Sequence, residues 1–186
     1  MTHDLAYTVG CEKKTDIIII SEPNKKIVKD CNYITGNSSN VAMFISNKNA
    51  GIVSHAVGDG YDCVSWKEWC LYGYVSPNIP LEEFKCYIDT LMQDVIFRKR
   101  AAIITGDCNS KAPLWGSPVT DKRGEYLIEW AEELNLSIMN SGNTSTFERG
   151  DTGSFIDITW ATEGMVRRVS KWEVYTYHHH IYFEVA

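Results

Sequence analysis

Asp107 and Asn109 stand just past an apolar run, Ala101-Ala102-Ile103-Ile104-Thr105, that breaks at Gly106. A short β-rich run ending in Gly-Asp-x-Asn reads as a buried strand whose C-terminal end presents polar groups to a cleft. In open α/β sheets ligands bind at that end. Two residues apart on a strand, a carboxylate and an amide point the same way. The carboxylate can deprotonate or orient water, and the amide can donate to an oxyanion. The same residues also fit a plain Asx turn closing a strand.

Other strand ends repeat the pattern. Glu22 follows the run Asp16 to Ile20 and precedes Pro23, which ends the ladder. Tyr74 with Asn78, Asp157 and His178 close three further runs. Carboxylates hold a hard divalent cation such as Mg²⁺ (or Mn²⁺) through oxygen. An Asp can act on water, and an imidazole oriented by a second carboxylate can stabilise a pentacovalent phosphate. Together these groups suit metal-assisted phosphodiester hydrolysis. Each also has a plainer reading. Glu22 fits a solvated acid, Tyr74 a half-buried ring and Asp157 a turn former facing Thr159. His178 to His180 fit a surface run, and Trp115 reads as a packing anchor.

The elements that must position these groups follow from periodicity and punctuation. Residues 3 to 14 read as a helix, and Asp16 to Ile20 as a strand apolar on both faces and therefore central. Val41–Ser46, Gly51–Val57, Tyr61–Trp66 and Trp69–Val75 read as an antiparallel meander. Leu81, Phe84, Ile88, Leu91, Met92 and Val95 mark one helix face after Pro80. Asp121–Leu134 reads as a second helix whose charges oppose the macrodipole, because Lys122 and Arg123 lead it. Leu136–Asn140, Ser145–Arg149, Ser154–Ala161, Trp172–Tyr177 and Ile181–Val185 read as strands. Meanders with helices on their outer faces predict an α+β sandwich of two mostly antiparallel sheets in one domain, 1–186.

Composition narrows the class. With 44% hydrophobic and 23% charged residues, 186 residues suffice for one core. No apolar run reaches membrane-spanning length, so no membrane partner is expected. A start without a basic region followed by an apolar core predicts a nuclear or cytoplasmic rather than secreted protein. The six cysteines contain no CxxC pair and read as free thiols. A net charge of −6 lacks the global basic footprint of a sequence-independent DNA binder. The local basic clusters, Lys122-Arg123 among them, read as solvated surface.

The words IISEP (19–23), YVSPN (74–78), GDCN (106–109), PLWGS (113–117), DKRGEYL (121–127), STF (145–147), SFIDIT (154–159) and the terminal HHHIYFEV carry a resemblance along nearly the whole chain. They resemble the endonuclease/exonuclease/phosphatase superfamily, and within it the apurinic-type endonuclease domain of insect non-LTR retrotransposons. The resemblance implies a four-layer, DNase I-like α+β sandwich and a Mg²⁺-dependent endonuclease that nicks a target DNA duplex. It also implies a downstream reverse transcriptase in the parent element. By position, Glu22 matches the metal-binding Glu and Tyr74 the phosphate-contacting Tyr. Asp107 and Asn109 match the water-activating and transition-state-stabilising pair. Asp157 matches the Asp that orients the catalytic His, which matches His178. Two departures stand out. Tyr177 occupies the place of an acidic family Asp, and the chain is expected to lack the family's first strand with its active-site Asn. An impaired, retrotransposon-derived remnant keeping the fold is the alternative these departures imply.

Overall fold

A computed structural model describes residues 3–28, 33–36, 40–47, 49–75, 78–150, 152–175 and 180–186. In chain order the elements are α1 (His3–Lys13), β1 (Ile17–Ser21), β2 (Tyr33–Ile34), β3 (Val41–Ile45), β4 (Ser54–Val57), β5 (Tyr61–Ser65) and β6 (Trp69–Val75). Then come α2 (Leu81–Arg98), β7 (Ala101–Asp107), a 3₁₀ turn (Pro113–Trp115), α3 (Lys122–Glu133), β8 (Leu136–Ile138), β9 (Phe147–Arg149) and β10 (Thr152–Ser154). The chain closes with β11 (Asp157–Thr162), α4 (Glu163–Val166), β12 (Val169–Tyr175) and β13 (His180–Val185).

Six strands form one sheet in the order β4-β5-β6-β7-β11-β8. Its pairs are antiparallel except β6 with β7, which run parallel because α2 crosses over between them. Alternation divides its side chains between two cores. Tyr72, Ile104, Ile158 and Trp160 face α2 and α3, where Phe84, Ile88, Leu127 and Trp130 fill the space. Val64, Leu71, Ile103 and Ala161 face the other way and meet Met43 of β3 and Met165 of α4. That second core is closed by Ile17, Ile19 and Ile34 of the β1-β3-β2 sheet and by Phe183 and Val185 of the β12-β13 pair. The layers are therefore α2 and α3, the six-stranded sheet, the smaller sheets, and α1 outside β1.

Two sequence expectations need correction. β1 is an edge strand among the described residues, pairing with β3 alone. Its second apolar face is covered by a helix rather than by a neighbouring strand: Ile18 packs so closely on Gly10 of α1 that a Cβ there would overlap it. β3 belongs with β1 and not with the meander, which is β4-β5-β6 only. Period-2 alternation looks the same in either sheet, so the pattern could not assign it. The short helix α4 was not anticipated. Trp115 is a packing anchor, 3% exposed and edge-on to Trp160.

Candidate active site

The rim of the six-stranded sheet is where β6, β7 and β11 end or begin together. Asp107 and Asp157 are register partners across the antiparallel β7–β11 pair. Beneath them, on the same faces, the Thr105 and Thr159 hydroxyls are 2.8 Å apart, and Trp172 Nε1 donates to Thr159 Oγ1 at 3.0 Å. This buried polar floor fixes the spacing of the two strands below the carboxylates.

Gly106 makes the approach possible. It has φ of +151°, and a Cβ there would overlap the Tyr74 carbonyl oxygen on the parallel strand β6. Gly106→Ala should therefore cost about 3 kcal/mol or more, through forced separation of β6 and β7. Urea denaturation would show it as a lower midpoint at unchanged slope, and a loss under about 1 kcal/mol would contradict the close approach.

Past Asp107 the chain makes an Asx turn. The Asn109 amide N–H donates to Asp107 Oδ1 at 2.8 Å, and Asn109 takes φ of +42°. The strand has ended there, so the two side chains are not aligned by alternation as the sequence pattern implied. The turn and the site are one feature: the carboxylate is held by the amide of the very residue that supplies the exposed carboxamide.

Glu22 arrives from the other sheet. It lies just beyond β1 with φ of +49°, its N–H bonded to Asn40 O at 2.7 Å. It is exposed and close enough to act electrostatically on Asp107. Burial pushes the Asp107 carboxyl up to about 6; the Asn109 hydrogen bond opposes this, Glu22 adds to it, and the Arg123 cation opposes it. Burial and then the Asp107 charge push Asp157 up to about 7, against the pull of the Thr146 hydroxyl.

The remaining sequence candidates are placed as follows. Asn78 is exposed on the connection from β6 to α2. Tyr74 is 1% exposed and belongs to the helix-side core. Alternation puts it on the face of Tyr72, away from Asp107, so the expected phosphate contact does not fit its placement. His178 and Tyr177 lie outside the described residues.

Residues that sequence reasoning left without a role complete the site. Thr146 Oγ1 accepts from the N–H groups of Ile156 and Asp157, both at 3.0 Å. Asn140 clamps β11, its Nδ2 donating to Asp157 O at 3.0 Å and its Oδ1 accepting from Thr159 N at 2.8 Å. Thr146 sits in the STF word, which was the only hint. Nothing in composition marks Asn140, because its role is to cap the short strand β8 with side-chain bonds.

The donor chemistry fits a hard divalent cation. Glu22 and Asp107 offer oxygen; burial chiefly raises Asp107 and the Glu22 charge adds to it, and a cation would offset both. Among the described residues no three acidic, His or Cys side chains form a closed cage. An ion taken by one or two carboxylates, with water in its other positions, is the Mg²⁺ habit.

Comparisons with known proteins bear on the fold and the family. A solved structure, the endonuclease domain of TRAS1, a telomere-specific non-LTR retrotransposon, superposes with a TM-score of 0.74 at 23% identity. The match covers 91% of this chain and 82% of that one, and it shows the DNase I-like α+β fold. No curated protein matches the chain. The family model described as endonuclease-reverse transcriptase matches residues 70–182, which hold β6, β7, α3, β11 and the paired aspartates. With more than half its length matched, from the strand that holds Tyr74 to the final strand, the chain belongs to the endonuclease-reverse transcriptase family.

Proposed function

We propose that the chain is a metal-dependent endonuclease that nicks a DNA duplex so that a reverse transcriptase of the parent element can prime on it. The observation that carries this reading is the register pair Asp107–Asp157 at one sheet rim, with Glu22 brought to it from the other sheet. Asp107, near neutrality, suits a general base that takes a proton from water attacking the phosphorus. The exposed Asn109 carboxamide donates to a non-bridging phosphate oxygen as charge develops there. By the family resemblance, Asp157 would be the carboxylate that orients the catalytic His, the role that His178 matches in sequence. Glu22 would hold Mg²⁺ or Mn²⁺, which supplies Lewis-acid polarisation of the phosphate when bound. Asn78, exposed beside the cleft, contacts the DNA backbone.

Glu22→Gln tests the metal assignment. In the wild type, Mg²⁺ should raise the melting temperature and support conversion of supercoiled plasmid to open circles. The variant should need about tenfold more Mg²⁺ or beyond for both. An unchanged Mg²⁺ requirement would remove Glu22 from the site.

One residue favours the second reading, an impaired remnant that keeps the fold. Tyr177 is neutral at pH 7 where the family word has an Asp, and so supplies no charge to a cation. Robust plasmid nicking that Asp107→Ala abolishes would defeat that reading.

A further inference from the structure

One side chain on α3 ties together segments far apart in the chain. The first turn of α3 is pinned to the segment after Asn109: Asp121 N donates to Lys111 O at 3.0 Å, and Asp121 Oδ1 caps the helix by accepting from Gly124 N at 2.7 Å. A Cβ at Gly124 would overlap the Lys111 carbonyl, so only glycine lets the helix sit this close. From this anchored turn Arg123 reaches the connection between β6 and α2, where its Nη2 donates to Ile79 O at 2.6 Å. The guanidinium lies over the buried Phe84 ring, 4.5 Å from its centroid. A cation in the first turn opposes the helix dipole. Stability of α3 therefore gives no reason for an arginine here, and its planar fork is what stacking plus a directed hydrogen bond requires.

We propose that Arg123 is a positioning residue of the cleavage site, tying the β6–α2 connection that carries Asn78 to the α3 turn docked behind Asn109. It rests on the nuclease reading. The tie sets the width of the cleft mouth between Asn78 on one wall and Asp107 with Asn109 on the other. Arg123 acts through those residues and not on the phosphate. Its charge also acts on Asp107 at a distance, a small pull against the larger push of burial.

The test compares Arg123→Lys, Arg123→Met and, as a control, the exposed neighbour Lys122→Met. Nicking is measured at saturating plasmid, below the melting temperature of every variant, alongside plasmid affinity in EDTA. Both Arg123 variants should lose kcat by about tenfold or more, with affinity held within about threefold, because misplacement slows the step more than it weakens contact. Lys122→Met should match the wild type. Lysine keeps the charge but not the fork, so full rescue by Arg123→Lys would overturn the positioning role, as would wild-type kcat in Arg123→Met. If Arg123→Met fails to fold, Arg123→Lys, whose stem still covers Phe84, carries the test. A wild type that nicks nothing sinks the nuclease reading and this role with it, whereas a nicking wild type equalled by its Arg123 variants sinks the role alone.

Discussion

Asp107→Asn should reduce plasmid nicking by about 10³-fold or more while leaving the fold intact. The substitution keeps the acceptor oxygen that the Asn109 N–H uses at 2.8 Å, so the Asx turn survives. It removes the one property an amide cannot supply, a basic oxygen near neutral pH. The same reasoning gives the acid limb of the wild-type profile. Asp107 lies at about 6 without a cation and lower with one bound, so activity in Mg²⁺ should fall only as pH drops below about 6. A variant retaining a tenth of wild-type activity would show that another group takes the proton.

The second large effect is on stability and has the opposite sign. Burial raises Asp107 and Asp157 to about 6 and about 7 from the ordinary Asp value of 3.8. The folded chain therefore binds more protons than the unfolded chain across the window from about pH 4 to 7. Stability must fall as pH rises through that window, because the carboxylates ionise in a place that disfavours their charge. Asp107→Asn, which cannot ionise, should be more stable than the wild type at pH 8 by ~1–3 kcal/mol, the partial exposure of the group trimming the upper figure. The gain should vanish near pH 4. Urea melts at pH 4, 6 and 8 in EDTA measure it, and an Asp107→Asn chain less stable than the wild type at pH 8 would refute the electrostatic account. A site that stores charge repulsion at the expense of stability is what a cation-assisted reaction requires.

Much of this was legible in the sequence, for identifiable reasons. Gly106-Asp107-Cys108-Asn109 and Ser21-Glu22-Pro23 announce strand ends because glycine and proline break ladders with distinct chemistry. The arrangement of two sheets flanked by helices followed from helix and strand periods, which are local. What could not be read was which face and which sheet. Tyr74 lies at a strand end in a family word, yet alternation against a register set by β7 buries it under α2. β3 pairs with β1 across a long loop, and its apolar pattern carries no label for its partner. Arg123 looked like half of a solvated basic pair; its contact with Ile79 O spans 44 residues and exists only once α3 docks on Lys111. Asn140 and Thr146 were invisible for the same reason, since both work on backbone atoms of β11 and of the turn before it.

The most direct measurement is plasmid nicking by the purified wild-type chain in Mg²⁺ and in EDTA, with Asp107→Asn prepared in parallel as the blank for contaminating nucleases. Open circles should accumulate with wild-type protein in Mg²⁺ and not in EDTA or with the variant. Equal nicking by wild type and variant, or none by either, would contradict it.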